Sequence, residues 1–229
     1  PDFETFWSQG YVEVDEPDSA YVLFEDFYAD PDANPLKTAS GRIEIESKTI
    51  AAYGYADCPG HPTWMQPHEW LGGEHALKYP LHMISGQPAH KLHAQLDQGA
   101  VSRRAKIHDR EVITLNEADA AARAIHGGEV VRVFNDRGEL LAAVAVSADV
   151  RAGVVSLPTG AWFDPAVLGT TGSLEKHGNP NVLTPDRGTS RLAQGPTAHS
   201  TLVQVELYVG EIPPVTAFVP PQIIDREPR

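Results

Sequence analysis

The sequence predicts a mainly β chain with short helices, built around a small β-barrel. Three observations carry this. Short runs rich in Val, Ile, Leu and Thr recur between residues 81 and 208, each bounded by Gly, Pro, Asn or Asp. One stretch among them carries the chemistry of a helix start. The 19 glycines and 19 prolines among 229 residues allow many turns and few long helices.

The elements follow in chain order. Residues 1–40 read as a short helix and irregular chain, a strap carrying Trp7, Tyr11, Tyr21, Phe24, Phe27 and Tyr28 but few aliphatics. Gly41-Arg42-Ile43-Glu44-Ile45-Glu46 alternates with period two and predicts a half-buried strand. Residues 53–80 hold His61, His68 and His75 at seven-residue spacing, but Pro59, Pro62 and Pro67 forbid a continuous helix, so a long ordered loop is expected. Leu81–Ser85 and Val112–Leu115 predict strands. Asn116 is expected to cap a helix with acids in its first turn, an apolar face of Ala118, Ala121, Ala122 and Ile125, and a stop at Gly127-Gly128. Glu129–Phe134 and Leu140–Val146 predict a hairpin around Asn135-Asp136-Arg137-Gly138, with positive φ expected at the glycine. Val154–Leu157 and Thr201–Tyr208 complete the strands, and residues 158–199 are loop-rich. The tail from Gly210, with Pro213, Pro214, Pro220 and Pro221, is expected to be extended along a surface.

The net charge of −13 argues against a general nucleic-acid or anionic-membrane binder. No apolar run approaches ~18 residues, so no membrane span is expected. The single Cys58 excludes a disulfide scaffold and a multi-thiolate metal site, and leaves the compartment open. The acidity is local, since residues 1–46 hold twelve acids and two bases. Between Lys91 and Arg110 the sign reverses, with five bases against Asp97 and Asp109. Such an island suits a small anion such as a nucleotide diphosphate; the plainer readings are a solvated cationic loop, or one docked on the chain's own acidic segment.

Two constellations stand out. Ser85, Gln87, Lys91, His93 and Gln95 form a polar loop after a strand broken by Gly86 and Pro88. His90 and His93 could share a metal, but no nearby acid or thiol completes a ligand set, and no metal ligand or catalytic residue is assigned. Later, Gly178–Thr184 and Gly188–Gly195 offer the amides of Asn181 and Gln194 beside hydroxyls and glycines. Side-by-side donor and acceptor suit a flat heterocycle such as guanine or a pterin. The Walker, Gly-x-Ser-x-Gly and Gly-x-Gly-x-x-Gly patterns are all missing.

These residues carry a specific likeness. Four ordered stretches take part: Gln87-Pro88 through Leu92–Gln95; Asp119–Arg123 through Val130–Gly138; Gly160–Pro165; and Asn179–Thr184 through Gly188–Ser190 to Leu192–Gly195. On these, Tyr79–Tyr208 resembles the C-terminal, molybdopterin-dinucleotide-binding domain of the dimethyl sulfoxide reductase family, most nearly the biotin sulfoxide, trimethylamine N-oxide and dimethyl sulfoxide reductases. Residues 1–78 resemble the preceding segment more loosely. The resemblance implies a double-psi β-barrel over 79–208, with an irregular α/β strap before it (1–78) and a Pro-rich tail after it (209–229). It implies a bis(molybdopterin guanine dinucleotide) molybdenum cofactor and oxygen-atom transfer from a small S-oxide or N-oxide, with molybdenum cycling between Mo(IV) and Mo(VI). Ser85, Gln87, Lys91, His93 and Gln95 would then contact the pterin–diphosphate region, and Asn181 and Gln194 the pterin edges. Lys91 stands where the family often has Arg, and Ala94 where it often has Ser. The resemblance also implies upstream domains of the same polypeptide that hold the molybdenum ligand and substrate funnel, so this C-terminal piece alone is expected to be inactive. The electron donor stays unassigned. A non-catalytic double-psi-barrel binding module is the alternative.

Overall fold

A computed structural model describes residues 1–16 and 19–220, so the last part of the expected tail, Pro221 included, lies outside the described residues. The chain forms two compact units, Pro1–Thr63 and Trp64–Arg229.

Among the described residues, the first unit holds three short helices, α1 (Phe3–Gln9), α2 (Glu25–Ala29) and α3 (Lys48–Ala52). Asp2 caps α1 by accepting from the Thr5 amide at 2.8 Å, and Gly10 closes it in the left-handed region. The strand expected over 41–46 does not form. Ile43 and Ile45 are 71% and 78% exposed, and Glu44 accepts instead from the Ser40 amide at 2.7 Å. Alternation specifies a strand only where a partner edge and a covering face exist, and among the described residues of the unit neither meets this stretch.

The second unit is a closed six-stranded barrel. Its strands are β1 (Leu81–Ile84), β2 (Val112–Leu115), β3 (Val130–Phe134), β4 (Glu139–Val146), β5 (Val154–Ser156) and β6 (Thr201–Leu207), in the order β1-β5-β2-β4-β3-β6. Period-two alternation decides the interior. Leu81, Met83, Ile113, Leu115, Val131, Val133, Leu140, Ala142, Val144, Val155, Val203 and Val205 join one buried cluster. Leu141 and Ala143 point the other way along β4 yet are also fully buried. Their amides continue the ladder beyond the paired strands, Leu141 N–H donating to the Glu175 carbonyl at 2.8 Å and Ala143 N–H to the Glu111 carbonyl at 3.0 Å.

Two more helices accompany the barrel, α4 (Ala100–Arg104) and α5 (Glu117–Ala121). Asn116 caps α5 as expected, with Oδ1 accepting from Ala118 N–H at 2.9 Å. The helix is shorter than its sequence pattern. Ala124 turns to φ 52°, three residues before Gly127, so Ala118, Ala121 and Ala122 lie outside, and Ala120 and Ile125 are the buried residues. The Asn116 side chain also donates to the Val150 carbonyl. Asn116→Ala is expected to lower stability by ~1 kcal/mol, read as a lower thermal unfolding midpoint.

The hairpin forms over 135–138, but Gly138 does not take positive φ. Its role is close approach, since a Cβ there would lie 2.8 Å from the Val182 carbonyl oxygen. Asn135 secures the same crossing, donating to the carbonyls of Leu183 (2.9 Å) and Leu202 (3.1 Å). Residues 64–78 pack on the barrel through Glu69, which is 3% exposed and accepts from both Arg137 Nη atoms and from Leu202 N–H. The tail's Pro213–Phe218 lies along residues 162–177. Thr216 and Ala217 donate to Asp164, and Phe218 packs against Trp162 and His177.

Candidate functional site

Register alone decides which loops meet. β1 runs parallel to β5 (Ile84 opposite Ser156) and antiparallel to β6 (Met83 opposite Thr201). Phe134 of β3 lies opposite Gln204 of β6 and Glu139 of β4, and Val112 of β2 lies beside Ala143 of β4. The C-terminal ends of β1, β3 and β5 and the N-terminal ends of β2, β4 and β6 therefore share one barrel end. The loops 85–111, 135–138 and 157–200 all open there, and they carry all seven predicted residues.

Ser85, the first residue past β1, is buried to 8% exposure, and its amide donates to His199 Nδ1 at 3.3 Å. The Gln87 amide spans the following turn, donating from Nε2 to the Lys91 carbonyl and accepting from His93 N–H at 3.1 Å. His93 and Gln95 lie exposed on a tight loop that pairs Leu92 with Gln95, and His93 sits at φ 49°. Asn181 is exposed on a 3-10 turn, Pro180–Val182, held by the Asn179 side chain accepting from Asn181 N–H at 3.0 Å. Gln194 is exposed on a turn where its Nε2 donates to the Ser190 carbonyl at 2.9 Å.

Lys91 is the exception. Its ammonium is fully buried between Asp97 Oδ1 (3.0 Å) and Glu111 Oε2 (2.5 Å), so it does not face a ligand at the surface as expected. Part of the basic island behaves likewise. Lys106 contacts the same two carboxylates, Arg103 lies 3.7 Å from Asp109, and Arg110 donates to the carbonyls of His108 and Pro213. Lys91 and Lys106 are thus neutralised by Asp97 and Glu111, while Arg103 and Arg104 stay exposed.

Residues outside the sequence-based set organise this end. Trp162 donates from its indole to the Ala94 carbonyl at 2.7 Å and from its amide to Asp97 Oδ2 at 3.0 Å. His177, fully buried, meets the Trp162 carbonyl through Nδ1 at 2.8 Å; a carbonyl only accepts, so Nδ1 carries the proton. Burial, with Lys106 nearby, pulls this imidazole below its ordinary value. Glu175, also fully buried, accepts from four backbone amides, those of Asp164, His177, Gly178 and Asn179. Burial pushes its carboxyl above the usual range even so. Gly160 takes φ 97°, and a Cβ there would sit 1.9 Å from the His93 carbonyl oxygen. Gly160 and Trp162 were visible in the sequence as a Gly-Ala-Trp-Phe-Asp run, but Glu175 and His177 carried no pattern of their own.

The acids at this end set a pH dependence. Burial alone would raise Asp164, but Thr216 and Lys176 outweigh it and hold the carboxyl low. Burial would likewise raise Asp97, but Lys106, Lys91 and the Trp162 amide hold it low too. A lowered carboxylate stabilises the fold above its unfolded value and loses that contribution as pH falls through its folded one. Thermal stability is therefore expected to fall steeply as pH drops below ~4. Asp164→Asn is expected to melt lower at pH 7 with a shallower acid decline, and parallel melting curves for the two proteins would refute this.

Comparison with known proteins gives a consistent picture. The family model described as molydopterin dinucleotide binding domain matches residues 81–202. The chain is 47% identical over 223 residues to the dimethyl sulfoxide/trimethylamine N-oxide reductase of Cereibacter sphaeroides, covering 97% of this chain and 27% of that protein. It is 48% identical over 219 residues to trimethylamine-N-oxide reductase 1 of Escherichia coli (strain K12), covering 94% and 26%. The chain thus spans about a quarter of the length of these relatives. Acetylene hydratase from Pelobacter acetylenicus shares the fold, with a TM-score of 0.63 at 19% identity over 78% of this chain and 25% of that one. Because the matched span covers more than half of its 229 residues, the chain belongs to the molydopterin dinucleotide binding domain family.

Proposed function

We propose that this domain holds a bis(molybdopterin guanine dinucleotide) molybdenum cofactor at the barrel end just described, as part of a longer polypeptide that reduces S-oxides or N-oxides. Ser85, Gln87, His93 and Gln95 would face the pterin–diphosphate region, and Asn181 and Gln194 the pterin edges. The observation that carries the reading is that these six residues lie in the 85–111 and 157–200 loops, far apart in sequence, which leave the same barrel end. The donor set fits the group. It consists of carboxamides, a hydroxyl, an imidazole and loop backbone, which suit a heterocycle and phosphates rather than a metal ion. His90 Nε2, in the same loop, is buried with no hydrogen-bond partner among the described residues.

When bound, the cofactor supplies the redox chemistry of oxygen-atom transfer. This chain's residues bind and orient it, and the upstream domains of the same polypeptide supply the metal ligand and substrate funnel. The oxide substrate follows the names of the two reductases above.

The test uses the full-length natural protein carrying Asn181→Ala and Gln194→Ala together. Each lost contact is expected to weaken binding by ~1 kcal/mol, about thirtyfold in affinity for the two together, so molybdenum and the fluorescent pterin oxidation product should fall severalfold or more while circular dichroism holds. Unchanged content would exclude the assignment.

A further inference from the structure

We propose that Lys91, Asp97, Lys106 and Glu111 form a charge-balanced clasp that positions the 92–96 loop for the cofactor. This rests on the cofactor reading above and assigns positioning residues to it. The four side chains are between 0% and 4% exposed. Each ammonium lies within 3.0 Å of both carboxylates, and the charges sum to zero.

The clasp joins segments that lie apart in sequence. Lys91 and Asp97 bracket the loop, Lys106 follows α4, and Glu111 immediately precedes β2. From Asp97 the network reaches the 157–164 segment through Trp162 N–H, and His177 Nε2 lies 3.9 Å from Asp97 Oδ2. Glu111 N–H donates to the His177 carbonyl at 2.9 Å.

The loop between the two anchors has reason to need them. His93 and Leu96 both take left-handed backbone conformations (φ 49° and 66°), and Leu92 and Leu96 are more than half exposed. Such a loop has little core contact of its own, and its shape must be imposed from outside. A buried ion cluster is no more stabilising than well-packed apolar residues, but it is intolerant of misalignment. That property suits holding His93 and Gln95 in one place.

The experiment compares Lys91→Met, Asp97→Asn and the double variant, which leaves Lys106 paired with Glu111. Amide hydrogen exchange at residues 92–96 is measured in full-length protein from a host that cannot make the cofactor. Molybdenum and pterin content are measured in protein from a competent host. Each single variant is expected to raise exchange at least tenfold and to lower cofactor content severalfold, and the double variant to recover most of both. A loss of cofactor in Lys91→Met without faster exchange, and without recovery in the double variant, would make Lys91 a direct ligand contact and overturn the clasp. Faster exchange with undiminished cofactor, where Asn181→Ala with Gln194→Ala still lowers it, would overturn the positioning role and leave the cofactor reading standing. Wild-type protein without pterin would overturn both.

Discussion

Glu175→Ala is expected to destabilise the barrel by about 4 kcal/mol, lowering its thermal midpoint by about 10 °C. The carboxylate is wholly buried and is the acceptor for four backbone amides within 3.1 Å. Removing it orphans all four, and a buried donor without a partner costs ~1–3 kcal/mol. Water entering the vacated space offsets part of that sum. The loss is large against a typical total of ~5–15 kcal/mol. It is also local in origin. Glu175 pairs with Leu140 and Pro165 through backbone bridges, so the 164–179 loop loses its centre while the interior strand contacts stay. Glu175→Gln is the graded control, keeping one carbonyl oxygen for two of the donors but presenting an NH2 to the others, so about half the loss is expected. A midpoint within 2 °C of wild type for the alanine variant would mean that the amide nest is not formed in solution.

How far the molecule could be read in advance follows from which interactions leave a local mark. The strands were legible because their pattern and their turns are local: Val112–Leu115 is β2 to the residue, and the hairpin sits on Asn135–Gly138. Ile43 and Ile45 show the limit, since their alternation matches β3's but a strand also needs a neighbour. At the candidate site, the loops were legible as Gly- and Asn-rich segments, and the expectation that they line one cleft came from the family likeness alone, because the barrel end they share depends on the strand order, which leaves no local mark. The basic island misled for the same reason. Lys91 meets Glu111 across twenty residues, and Asp97 looked like an isolated acid among bases. Glu175 could not have been singled out, because its four partners are backbone amides, which every residue has. A better signal lay in the acids interspersed in the island: two carboxylates among cations in an apolar-flanked loop are as consistent with internal pairing as with ligand binding.

Gly160→Ala is expected to cost about 3 kcal/mol and to displace the loop that carries His93. Two effects act together. The backbone is at φ 97°, where a Cβ is strained whatever space surrounds it. The added methyl would also lie 1.9 Å from the His93 carbonyl oxygen and 2.6 Å from its carbon, backbone atoms that cannot rotate away. Relief requires the 91–95 segment to move by more than 1 Å, and that segment is pinned by the Ala94 carbonyl on the Trp162 indole and by the buried Lys91 ammonium. Strain therefore passes directly into the loop that presents His93 and Gln95. Gly138→Ala separates the two effects. Its Cβ would press on the Val182 carbonyl at 2.8 Å but its φ is ordinary, so a smaller loss is expected, without change near residue 93. Thermal melts rank the two variants, and amide exchange at residues 92–96 shows where the strain goes. If Gly160→Ala melts like wild type and leaves those amides as protected, the close packing of Gly160 against His93 is wrong, and the shape assigned to that loop falls with it.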